Sequence, residues 1–137
     1  MPLHLKKVGD APHHDLMIAD NDEILIVIPE PGFKDTADAS RRTVEALREY
    51  ARTLGRKCGL VVVATNLMAQ EPESRRVYSE QVTADLFYGI TLVVSSLMAR
   101  AIGTVAIRFT KMPIPFSLSS SIESGIDWVN AQDKTEQ

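Results

Sequence analysis

Cysteine is almost missing from this sequence. Cys58 stands alone, so the chain cannot close a disulfide on itself, and nothing in it points to an oxidising compartment. A basic surplus is missing as well: 15 Lys and Arg against 18 Asp and Glu leave a net charge of -3, no cationic footprint for nucleic acid. No apolar run approaches the ~20 residues that cross a bilayer. The opening residues Met1 to Lys7 lack the apolar core of a secretion leader. A cytoplasmic protein without a membrane span is therefore expected. Glycine-rich phosphate loops are absent, since Gly89, Gly103 and Gly125 are isolated. None of the late serines, Ser95, Ser96, Ser117 and Ser119 to Ser121 among them, sits in a Gly-x-Ser-x-Gly elbow. With no acid–base pair or nucleophile–base spacing in view, an enzyme is not expected and no cofactor is implied.

What is present is an ordinary globular composition. Apolar residues make up 45% and charged residues 24% of 137 positions, enough for one domain with one continuous core. The chain is organised around 59–76. Leu60 to Ala64 is an uninterrupted apolar run, the pattern of a strand covered on both faces. Thr65 to Glu71 leaves that strand, and Pro72 pre-sets the backbone of a helix over about 73–86. Further strands are expected at 14–19, 24–28 and 90–94, the first two joined by an Asp-Asn turn and therefore antiparallel. The clearest helix is 35–54: Val44, Leu47, Ala51 and Leu54 form one stripe, and Gly55 supplies a left-handed stop. In a third helix from Leu97, the residues Met98, Ile102, Val105, Ala106 and Phe109 share a face that is read as core, as a protein contact, or as both. The prolines Pro113 and Pro115 frame an edge strand over 114–118. Ser120 and Glu123 have capping-box spacing before a last helix with Ile122, Ile126 and Val129 inward. Strand–helix–strand order implies right-handed crossovers. The expectation is a mixed, mostly parallel sheet with helices mainly on one face: a lead-in at 1–12, a domain at 13–131 and a frayed tail at 132–137.

Candidate chemistry is thin. His13, His14 and Asp15 carry metal-ligand side chains, but neighbours on a strand point to opposite faces, so these histidines read as surface residues and no metal is expected. Cys58, just before a buried strand, reads as an inert small residue. The stretch 65–76 leaves the carboxyl end of the central strand, where α/β proteins meet ligands and partners. Asn66, Glu73, Ser74, Arg75 and Arg76 are its candidate contact residues, with Glu73 and Ser74 expected to face solvent at a helix start.

The order of segments from Ala46 to Val129 resembles the STAS-like family, domains akin to anti-sigma-factor antagonists and the cytoplasmic tails of sulphate transporters. Val44-Glu45-Ala46-Leu47-Arg48, Leu60 to Ala64, Glu73 to Tyr78, Ile90 to Ser96 and Ala99 to Gly103 carry the resemblance, and Phe109 to Leu118 running into Glu123 to Trp128 is its most characteristic part. It is similar to a stand-alone bacterial branch whose members mostly lack an assigned activity. The resemblance implies a non-catalytic regulatory domain with a protein partner, such as a regulatory kinase or an anti-sigma-like protein. In the antagonist branch a phosphorylated serine lies in an Asp-Ser-Ser-Gly-like signature. The matching stretch is Pro72-Glu73-Ser74-Arg75, where Ser74 alone agrees and is the candidate phosphorylation site. Glu73 offers a permanent charge in the phosphate's place. The alternative reading is a carrier or sensor of a small apolar or anionic ligand, lipid- or nucleotide-like. A homodimer through the 97–118 region is also expected, because that region offers more apolar surface than one small core needs.

Overall fold

The computed structural model describes residues 5–11, 14–19 and 23–135. Six strands form one sheet in the order β1 (Leu5–Ala11), β2 (His14–Ala19), β3 (Ile24–Pro29), β5 (Cys58–Val62), β7 (Phe87–Val93) and β8 (Phe116–Ser119). The pairings β1–β2 and β2–β3 are antiparallel, and β3–β5, β5–β7 and β7–β8 are parallel. The sheet is therefore mixed and mostly parallel, as the sequence implies. Each parallel step is bridged by one helix: α1 (Ala37–Leu54), α2 (Pro72–Gln81) and α3 (Leu97–Phe109). Successive crossovers of one hand that advance in one direction must stack on one face, and residues of all three helices share one core cluster. The last helix, α4 (Ile122–Thr135), covers the other face.

Period-two alternation sorts the strand residues between these layers. Leu25, Val27, Leu60, Val62, Ile90 and Leu92 face the three-helix side. Ile24, Ile26, Val61, Val63 and Val93 meet Val129 of α4, joined by Tyr88, which the register shift between Cys58 and Gly59 turns out of phase with Ile90 and Leu92. Both faces being covered explains why these strands are continuously apolar. α4 lies close because Gly59 stands opposite Val129 and leaves no room for a Cβ.

Local chemistry sets the helix ends. Thr36 caps α1, its Oγ1 accepting from the Ala39 N–H at 3.2 Å, and Gly55 closes it with φ 71°. The expected start at Asp35 is thus two residues early, because Asp35 belongs to a strand. That strand, β4 (Phe33–Asp35), pairs in parallel with β6 (Leu67–Gln70), a small sheet not foreseen from the sequence. α2 stops at Gln81 rather than near Leu86, because Thr83 and Asp85 bond to each other and Arg48 Nη1 binds Gln81 O (2.8 Å) and Thr83 Oγ1 (3.1 Å). The capping box of α4 is set one residue later than expected: Ser121 Oγ accepts from Ser124 N at 3.0 Å and Ser124 Oγ from Ser121 N at 3.1 Å. The lead-in over 1–12 contains β1, and α4 continues through the start of the expected tail, with Gln132 Nε2 donating to Trp128 O.

Candidate functional site

The small β4–β6 sheet sits at the carboxyl ends of β3 and β5 and positions everything around it. Gly32, held at φ 76°, donates its N–H to Asn66 O at 3.0 Å, and Asn66 Nδ2 donates to Pro29 O at 2.7 Å. Asn66 is thus a tether between two loops and only half-exposed. Asp35 is the hub of the sheet. Its carboxylate accepts from Ser40 Oγ (2.9 Å) and Gln70 Nε2 (3.2 Å), and its carbonyl accepts from Glu71 N (2.9 Å) and Ser74 Oγ (3.0 Å). Burial outweighs these donors and raises the Asp35 carboxyl above its ordinary value of 3.8.

Those bonds correct the expectation for Ser74. It is fully buried at 0% exposure, not facing solvent, because its hydroxyl fastens α2 to β4. As folded, it cannot present its oxygen to a kinase. Glu73 and Arg76 do lie in solvent, Arg76 pairing with Glu73 at 3.8 Å and Glu80 at 3.3 Å. Arg75 is half-buried beside them. The structure therefore keeps Glu73, Arg75 and Arg76 at one surface and turns Ser74 and Asn66 into supports.

His14 also departs from its reading as a surface residue: it is 6% exposed, packed edge-on against Phe33 at 4.7 Å, with Nδ1 3.4 Å from Thr43 Oγ1. His13 lies outside the described residues. Among the described residues no group of three or more His, Cys, Asp or Glu side chains could hold a metal. Burial pushes the Cys58 thiol up to about 11 and leaves no thiolate at neutral pH. The Tyr78 phenol is also pushed well up, by burial first and then by the Asp35 charge.

Beneath α2 and α3 lies a cavity of about 30 Å³, bounded by Asp35, Gln70, Arg75, Tyr78 and Thr110 on one side and by strand and α3 side chains on the other. Gln70 Oε1 and Thr110 Oγ1 are buried and find no partner among the described residues. A space of this size fits one or two waters. Above it, two open grooves run between α2 and α3 and meet at Arg75: one of about 230 Å³ over Gln70, Ile102 and Val105, one of about 280 Å³ over Glu73, Arg76 and Phe109.

The largest surprise is α3. Ser96 caps it, accepting from Ala99 N at 3.1 Å. It buries Ala99, Gly103 and Ala106, so most of the apolar stripe that was open to reading as core, as contact or as both is not core. A Cβ on Gly103 would stand 2.9 Å from Val94 Cγ1, just past the end of β7, and 3.0 Å from Leu118 Cδ2 of β8, so the helix rests directly on this part of the sheet through its smallest residues. Ala106 alone of the expected stripe is buried and Ile102 is half-buried. Leu97 is 89% exposed, Met98 56%, Val105 39% and Phe109 69%, and Met68 of β6 is exposed as well. The small residues 99, 103 and 106 themselves repeat at helical spacing, and that was the signal available in the sequence. Arg100, Arg108 and Lys111 are the charges of this region, and the sequence from Leu86 to Ile122 holds no carboxylate.

No family model and no curated protein matches the chain. Arrangement of the elements does match: a single mixed α/β domain of the SpoIIAA-like, STAS-like fold class. One solved structure it is similar to is an uncharacterised protein of the DUF3478 family from Shewanella loihica PV-4, with 13% identity, a TM-score of 0.53, and coverage of 93% of this chain and 92% of that one. The resemblance read from the sequence thus holds at the level of the fold. No helix among the described residues is long and apolar enough to cross a membrane.

Proposed function

We propose that this chain is a non-catalytic interaction domain that docks a protein partner through the outward face of α3 and the adjoining start of α2, where Glu73, Arg75 and Arg76 stand. The observation that carries the reading is the inverted packing of α3: small residues inward, Leu97, Met98, Val105 and Phe109 outward. Large apolar side chains held in water forgo about 1.5–3 kcal/mol each of burial energy, and a contiguous set of them marks an interaction site. Asn66 and Ser74 support that surface from below, and Glu73 supplies a fixed negative charge at the positive end of α2. A regulatory kinase or anti-sigma-like protein is the partner type the fold class brings to mind, with no phosphate on Ser74 needed.

A carrier of a lipid- or nucleotide-like ligand is the second reading, favoured by the unpaired Gln70 Oε1 and Thr110 Oγ1 in the cavity. The cavity's volume of about 30 Å³ is far below the several hundred that ligand sites occupy, so the interaction reading is preferred. A second copy of the chain is a further occupant for the α3 face, opposed by the like charges Arg100 and Arg108 it would bring.

Val105→Glu should leave the fold intact by circular dichroism, since Val105 is a surface residue, and should remove the proteins that the wild-type chain retains from an extract of its own cells. An unchanged set of retained proteins would place the working surface elsewhere.

A further inference from the structure

The α3 face has a chemistry as well as a shape. Its outward side chains are apolar at both ends, Leu97 and Met98 against Phe109, separated by about 18 Å at the helical rise. Between these ends Ile102 and Val105 border the groove of about 230 Å³ that opens toward Arg75. Every charge on α3 is positive: Arg100 and Arg108 are exposed, and exposed Lys111 follows directly. No acid tempers them between Asp85 and Glu123, although the chain as a whole carries a net charge of -3. Arg76 has its own acids, Glu73 and Glu80, across the groove. The α3 cations have no such neighbours on their own helix.

From this we infer that the occupant of the α3 face is an acidic amphipathic helix: an apolar ridge at i, i+3, i+4 and i+7 that enters the groove, flanked by Glu or Asp opposite Arg75, which lines the groove, and Arg108, one turn from Val105. Helix-in-groove recognition reads such a ridge directly, and cations facing carboxylates set its orientation and speed its encounter. A second copy of this chain presents the same cations and meets like charge. An anionic membrane satisfies the charges but not the shape, because the middle of the face is concave between α3 and β6, and Glu73 stands in solvent on the neighbouring rim.

The inference rests on the interaction reading above, and one selection separates their failures. A displayed library of helices with a fixed leucine ridge, and with Glu, Lys and Gln equally represented at the flanking positions, is selected on the full chain and on two folded variants, Val105→Glu and Arg108→Glu. Wild type is expected to enrich Glu over Lys by tenfold or more. Arg108→Glu is expected to lose that preference, and Val105→Glu to lose enrichment altogether. Retained binding must weaken with salt. Helices selected without any Glu–Lys bias, but lost in Val105→Glu, would overturn the acidic partner and keep the face. Helices retained equally by Val105→Glu would overturn the face itself. If no helix is enriched, the acidic helix is overturned. In that case co-sedimentation with phosphatidylglycerol vesicles would identify a membrane as the occupant, a concentration-dependent dimer mass lost in Val105→Glu would identify a second copy, and neither result would overturn the face as well.

Discussion

Single residues carry most of what makes the β4 region rigid, and Asp35 illustrates the balance. Its carboxylate is 3% exposed and is served by Ser40 and Gln70. Burial still dominates and holds its pKa above 3.8. The unfolded chain releases this proton at lower pH than the folded one, so between the two values the folded state binds more protons, and stability falls as pH rises. Asp35→Asn removes that fall: the amide bonds Ser40 as an acceptor and, if Gln70 turns over, donates to the otherwise unpaired Oε1. Urea midpoints measured upward from about pH 4 should therefore shift in favour of the Asn variant until the folded-state value of Asp35 is passed, and level off above it. A difference that stays flat over this range would mean that Asp35 is solvated in solution. Asp85 works the other way, held down to about 2 by its bonds to Thr83 and Arg48, but it is largely exposed and adds little. Ser74 gives a second test. Ser74→Asp places an unpaired charge in a fully buried position next to Asp35 and should cost about 3 kcal/mol or more. A melting temperature equal to wild type would show that the side chain swings out, and would restore Ser74 as a phosphate acceptor. Val62, 4% exposed at the centre of the sheet, should cost about 2–3 kcal/mol on truncation to Ala.

Elements differ in how openly the sequence displays them, and the difference is physical. α1 was legible because its apolar stripe and its C-terminal glycine agree; β3, β5 and β7 were legible because burial on both faces forces an unbroken apolar run. β4 and β6 have 3 and 4 residues, too few to show any period, and they arise from tertiary pairing alone. Their absence from the reading hid Asp35, misplaced the start of α1, and left Ser74 with no reason to be buried. α3 was legible as a helix, but which way its apolar stripe faces was not, because its smallest residues set how closely it approaches the sheet. Gly103 tests this directly. Ala in place of Gly in a helix interior normally gains about 1 kcal/mol. Here the added Cβ meets Val94 Cγ1 at 2.9 Å and Leu118 Cδ2 at 3.0 Å, and a valine methyl has little freedom to retreat. Gly103→Ala should therefore destabilise by about 1–3 kcal/mol in denaturant unfolding, whereas Val105→Ser should stay within about 0.5 kcal/mol. If Gly103→Ala stabilises the protein, α3 stands further from the sheet and the inverted packing is not what holds it.

For the whole molecule, the layers predict an order of stability. β5 and β7 lie between α1–α3 on one side and α4 on the other, with every residue of both strands buried. Opening them exposes both cores at once, which amounts to global unfolding. α3 is the opposite case: a 13-residue helix that buries fully only Ala99, Gly103 and Ala106, the side chains with the least apolar area to lose. Local opening costs what it exposes, and regions with few buried apolar contacts open first. Amide hydrogen exchange should accordingly show β5 and β7 protected to the global limit, with α3 exchanging through a separate opening of distinctly lower free energy while α1 and α4 remain protected. A partner seated on the outward face of α3 would cover Leu97, Met98, Val105 and Phe109 and slow that exchange selectively, leaving β5 and β7 unchanged. The working surface and the most easily opened helix would then be the same element. If α3 is as protected as β5 in the free protein, its small-residue contact with Val94 and Leu118 is stronger than its buried area suggests, and this ordering is wrong.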